Sequence, residues 1–187
     1  IIFMDIVRVF NGLGNQMSQY AFYYAKKRRH PLTTFFITNR YDSENVHNGY
    51  ELGRLFGIKS SKLKEQLLYY IYESLFKSLF GYRFLNKISY EIKEPSNYDY
   101  DKKLIEPSCR FGFSFYWGGW HCEKYFAEYK QELKEKVFCF DERMLNKHSR
   151  MWKNTIDNDE YSCSLHIRRG DFLKDKKWSN AITSNYY

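Results

Sequence analysis

Apolar residues recur along this chain in two rhythms, one close to continuous and one helical. Residues 3–10 (FMDIVRVF) form a mostly apolar, β-branched run of the kind that parallel sheets bury on both faces, and the run stops at Asn11-Gly12. Beyond the turn NGLGN, the residues Met17, Tyr20, Ala21, Tyr24 and Ala25 fall at i, i+3, i+4, i+7 and i+8. That spacing predicts one apolar helix face, and the cluster Lys26, Lys27, Arg28 and Arg29 falls where the negative end of a helix dipole favours cations. Pro31 blocks continuation and residues 32–38 (LTTFFIT) read as a second strand. The first forty residues therefore spell β-turn-α-β, with a right-handed crossover joining a parallel pair.

Further along, residues 47–58 (HNGYELGRLFGI) predict a loop and a short helix. The four-residue spacing of Leu63, Leu67, Ile71, Leu75 and Leu79 predicts a helix over 60–80. Residues 88–93 read as a strand, with turn chemistry at 95–97 and at Pro107. Residues 110–120 (RFGFSFYWGGW) are aromatic at nearly every position and predict a strand that breaks at Gly118-Gly119. Two helices are expected over 121–137 and 141–155, then an acidic boundary at 157–160, then a strand over 161–168 that runs into Arg169-Gly170-Asp171. The expected fold is α/β, a Rossmann-type parallel sheet forming an N-terminal domain over 1–158. Residues 159–187 then supply the first strand of a second domain. Sixteen residues after its terminal turn are too few to complete that domain, so the sequence reads as truncated.

Composition narrows the class. With 43% hydrophobic and 20% aromatic residues and only 10 Gly and 3 Pro in 187 positions, disordered and collagen-like chains are excluded. The most apolar window, 67–80, is interrupted by Glu73 and Lys77, so no membrane-spanning helix is predicted. Asp5 and Arg8 within the first apolar run argue against a secretory signal, and a cytoplasmic address is expected. Thirty Lys+Arg against 22 Asp+Glu leave a net charge of +8, which favours an anionic partner: nucleic acid, the acidic inner face of a membrane met peripherally, or a phosphorylated small molecule. Cys109, Cys122, Cys139 and Cys163 form no C-x-x-C pair, so the expectation is four small buried hydrophobes in a reducing compartment, without zinc or disulfides.

Three segments could carry chemistry. Gly12, Gly14, Asn15 and Gln16 stand at a strand-to-helix junction, where free N–H groups and the helix dipole attract anionic oxygens. The same residues could form a plain tight turn with Asn15 as helix cap. A nicotinamide or flavin site is disfavoured, because Met17 replaces the third glycine of the dinucleotide fingerprint and Asp42 falls thirty residues after Gly12, not about twenty. His166, Arg168, Arg169 and Asp171 stand at a strand's carboxyl end, where paired guanidinium groups suit a diphosphate, the alternative being a solvated Arg–Asp pair. The aromatic run 111–120 is either sugar platform or core, and His47 is either an acid/base group or surface. A nucleic-acid or acidic-surface binding module and a nucleotide-dependent oxidoreductase are the competing classes.

In order along the chain, VFNGLGNQM with QYAF, HNGYEL, YWGGW with EKYF, and HIRRGD resemble the conserved blocks of the family 11 glycosyltransferases, the α-1,2-fucosyltransferases. The resemblance implies a two-domain, GT-B-like inverting enzyme that moves fucose from GDP-fucose to the 2-hydroxyl of a galactose-containing glycan, with no metal and no nucleic-acid partner. It implies that Arg168 and Arg169, in the block with His166 and Asp171, grip the diphosphate, and that Gly12, Gly14, Asn15 and Gln16 face the same donor. Asp175 and His47 are the candidate bases. The chain departs from the pattern at Ser18, where an aromatic is usual, at Asn11, where glycine is common, and at His121-Cys122, in place of a Gln-Ser-like pair. The family continues past the HxRRxD block by about one further domain.

Overall fold

A computed structural model describes residues 3–38, 49–60, 67–68, 89–107 and 111–164. The chain forms two compact units, Ile1–Asp141 and Glu142–Tyr187.

The first unit is built on four parallel strands, β1 (Phe3–Val9), β2 (Thr34–Thr38), β3 (Ser89–Lys93) and β4 (Gly112–Trp117), in the order β2-β1-β4-β3. Helix α1 (Leu13–Arg29) makes the crossover from β1 to β2, α2 (Leu52–Phe56) follows β2, and the single turn α3 (Lys102–Ile105) precedes β4. The expected α/β architecture with a Rossmann-like parallel sheet is what the chain forms. β1 and β4 occupy the centre, which explains the nearly continuous burial of β1 from Asp5 to Val9. On one face Val7 and Tyr116 pack with Phe22, Ala25, Ile105, Trp120 and Tyr125; on the other Ile6 and Phe115 pack with Ile37 and Leu68. Phe22 stacks on Trp120 at 4.0 Å between ring centroids, 6° from parallel.

Helix α1 buries only part of the face its apolar spacing predicts. Ala21 and Ala25 are buried as expected and Met17, Tyr20 and Tyr24 are half-buried, whereas the polar Gln16, Gln19 and Lys26 are fully enclosed beside Phe22. Polar side chains reach that position because each finds partners on the backbone or on a buried charge, which removes the cost of desolvating them. Lys26 Nζ sits 3.0 Å from an Asp5 carboxylate oxygen on β1 and donates to the carbonyls of Leu104 and Glu106 and to the Tyr116 hydroxyl. Burial pushes the Lys26 ammonium below its ordinary value, with the Asp5 charge opposing the shift. The residue expected as a cation at an exposed helix end is thus the pin between helix and sheet. Asn15 does not cap the helix either: Gly12 occupies that position, without a side-chain bond, and Asn15 lies in the first turn.

Residues 121–137, expected as one helix, form consecutive short turns from Glu123 on, with Glu123–Tyr125 and Ala127–Tyr129 as 3-10 helix, Lys130–Glu132 as an α turn and Leu133–Val137 in the wider π geometry. Of the helix expected over 60–80 the structure describes Leu67 and Leu68, both helical. The cysteines depart from expectation, since Cys139 and Cys163 are exposed and Cys122 is half-buried against the edge of the core formed by Val7, Phe22 and Tyr116; each belongs to a turn or irregular segment. Cys109 lies outside the described residues. In the second unit, α4 (Lys147–Asp157) begins at Asn146, whose side chain accepts from the Ser149 amide at 2.8 Å, and residues 161–164 are irregular. Among the described residues no helix is long and apolar enough to cross a membrane.

Candidate active site at the carboxyl edge of the sheet

In a parallel α/β sheet every strand points the same way, so the loops leaving the carboxyl ends converge and ligands collect there. Here the loops after β1, β3 and β4 enclose an open cleft of about 450 Å³. Asn11 and Asn15 line it from the first loop and the start of α1, Glu94, Ser96 and Tyr98 from the loop after β3, and Trp117 and His121 from the end of β4.

The walls of the cleft are tied to one another by side chains that bond backbone. Gln19 accepts from the Phe10 amide at 2.8 Å and donates to the Gly118 carbonyl at 2.9 Å, joining the β1 and β4 loops. Gln16 donates to the carbonyls of Asn11 at 2.6 Å and Gly49 at 2.8 Å and accepts from the Glu51 amide at 2.9 Å. Glu94 completes the set, its two carboxylate oxygens accepting from the amides of Gly119 at 2.7 Å and His121 at 2.9 Å. Arg8, nearly buried on β1, lays its guanidinium 3.7 Å from the centre of the Trp117 ring, which meets Phe10 at 4.7 Å.

Among the described residues three non-glycine positions take left-handed backbone angles, Asn11 (φ 66°), Tyr98 (φ 58°) and Trp120 (φ 54°). Two line the cleft and the third sits between the lining residues Gly119 and His121. Such angles cost of order 1–3 kcal/mol each and persist where surrounding bonds over-determine them, as the Glu94 carboxylate does around Trp120. Gly118 and Gly119 are required by close packing: a Cβ on the first would lie 2.4 Å from Glu94 Cβ, and on the second 2.2 Å from His121 Nε2.

Of the residues singled out in the sequence, the structure brings Asn15 to the cleft, places Gly12 at the helix start, and commits the Gln16 amide to three backbone groups that fix the turn. Gly14 is exposed in the first turn of α1 and a Cβ there would meet nothing within 4 Å. His47, His166, Arg168, Arg169, Asp171 and Asp175 lie outside the described residues. The aromatic run divides: Phe115, Tyr116 and Trp120 are core, and Trp117 lines the cleft. Sequence reasoning missed Arg8, Gln19 and Glu94. Arg8 is a cation inside an apolar strand and Glu94 a carboxylate directly after one, and both features mark groups at a strand's carboxyl end. Gln19 has no comparable signal. Among the described residues no cluster of His, Cys, Asp and Glu could hold a metal ion.

No family model matches the chain, and no solved structure matches it. A curated relative, the alpha-1,2-colitosyltransferase of Escherichia coli, is 29% identical over 188 residues, an alignment that takes in 97% of this chain. The chain spans 61% of that relative's length.

Proposed function

We propose that the chain is the acceptor-side part of a glycosyltransferase that moves a 6-deoxyhexosyl group from a GDP-linked donor to the 2-hydroxyl of a galactoside, with inversion at the anomeric carbon. The carrying observation is the alignment with an alpha-1,2-colitosyltransferase along 97% of the chain. A colitosyl group is a fucosyl group without its 3-hydroxyl, so the donor is read as GDP-fucose or its 3-deoxy counterpart. The blocks GLGNQ and HNGYEL favour the α-1,2 linkage, and the block HIRRGD favours fucosyl transfer.

The geometry of α1 supports the reading. Glycine within a helix is unfavourable by about 0.5–1 kcal/mol relative to alanine, and Gly14 meets no described neighbour that demands it. The N–H groups of that first turn are open to an anionic ligand. Residues 159–187 then begin the donor-binding domain, with Arg168 and Arg169 bonding the diphosphate beside His166 and Asp171. These cations stabilise the departing GDP without a metal ion, and the basic balance of the chain suits a cytoplasmic enzyme peripheral to an anionic membrane face.

The full-length protein, assayed with GDP-fucose and GDP-colitose against a β-galactoside, tests the assignment. Arg168→Ala is expected to lower transfer by about 10²- to 10³-fold, the loss typical for one donor to a developing anion. Transfer within threefold of the parent overturns the diphosphate role.

A further inference from the structure

Acceptor transfer requires a group that takes the proton of the attacking hydroxyl, and the cleft contains an imidazole that its neighbours hold in place. Ser18 on α1 has one hydroxyl hydrogen, and three carbonyls compete for it: Gly119 at 2.7 Å, Asn15 at 3.1 Å and Gly14 at 3.4 Å. Ser18 Oγ also meets His121 Nδ1 at 3.4 Å, a contact in which either atom can be the donor, so the hydroxyl steadies the imidazole from the α1 side. The ring is held from its own backbone as well, because Glu94 fixes the His121 amide and, across the left-handed Trp120, the Gly119 amide. Glu94 spends both oxygens on those amides and serves as the clamp. His121 itself is exposed on the lining of the cleft, and Tyr98 meets its ring edge-on at 5.6 Å.

On the glycosyltransferase reading above, we propose that His121 is the general base for the acceptor hydroxyl and that Ser18 is the positioning residue that orients its ring. As the acceptor oxygen bonds to C1 of the donor sugar, its proton passes to the unprotonated nitrogen of the His121 imidazole. The C1–O bond to the diphosphate breaks, and its electron pair leaves with GDP. The imidazolium returns its proton to water once product has gone.

The test uses the full-length enzyme with GDP-fucose and a β-galactoside, with GDP affinity measured by calorimetry. His121→Gln is expected to lower kcat by about 10²- to 10⁴-fold with GDP affinity unchanged. Ser18→Ala is expected to lower kcat about tenfold, a factor worth about 1.4 kcal/mol, and Ser18→Thr, which keeps the oxygen, to restore it. A His121→Gln enzyme with kcat within threefold of the parent, or one whose whole loss is a raised acceptor KM, overturns the base. A parent enzyme that neither binds GDP nor transfers sugar overturns the functional reading, and this assignment with it.

Discussion

At the residue scale, Lys26 is where stability concentrates. Its side chain is fully enclosed and that of Asp5 is 4% exposed, so neither charge has bulk water to fall back on. Lys26→Met strands a buried carboxylate and two carbonyls and is expected to cost about 3–5 kcal/mol in urea unfolding. Adding Asp5→Asn should return part of that loss, because the uncompensated charge is the larger share. His30, at the end of α1, responds to acid. Burial and the nearby Lys26 charge lower its value from 6.5, so as pH falls the unfolded chain takes up the proton first. Stability from neutral His30 is complete above about 6.5 and is lost as pH drops toward the folded value. The urea midpoint should fall between pH 7.5 and 5.5, and His30→Gln should flatten that fall. Ser18 and His121, two of the positions at which the chain departs from the α-1,2-fucosyltransferase pattern, touch each other across 103 residues of sequence.

At the element scale, strands were the legible part. Residues 3–10, 32–38, 88–93 and 110–120 predicted β1 to β4 to within two or three residues, because a buried parallel strand is written locally as an apolar, β-branched or aromatic run. The register of α1 was not legible. Its buried face carries Gln16, Gln19 and Lys26, whose partners are supplied from residues 49–51, 104–106 and 118, too far along the chain for any periodicity to report. The long expected helix over 121–137 fails at Phe126 and Lys130, where successive turns close i+3 rather than i+4 bonds. The cleft shared this limit: its glycines and aromatics could be picked out, whereas Gln19 and Glu94 act through backbone groups that only folding brings near. One element-level test separates packing from ligand demand. Gly14→Ala should leave stability unchanged or raise it by about 0.4–1 kcal/mol, since nothing described would touch the new methyl, while transfer from the GDP-linked donor falls about tenfold or more. Thermal melts and initial rates on the same preparation check both halves.

At the scale of the whole molecule, the sheet order explains why the loops form one cleft. With β1 and β4 adjacent at the centre, the loop that opens α1 and the loop that follows β4 leave side by side, and the strand outside them, β3, contributes Glu94 to brace the second. The excess of positive charge is not spread evenly as free cations. Arg29 meets Glu106 and Glu128, and Arg28 meets Glu132, along the side of α1 away from the cleft. Such exposed pairs contribute little to stability, but they neutralise the basic cluster that a nucleic-acid footprint would have needed.

The Gln16 staple carries a consequence for anyone recombining this scaffold. Its amide grips Gly49 and Glu51 immediately downstream of the segment 39–48, so that segment is bracketed by β2 on one side and a fixed anchor on the other. A graft boundary placed at Gly49 or Glu51 would cut that anchor and uproot the start of α1 and the cleft with it.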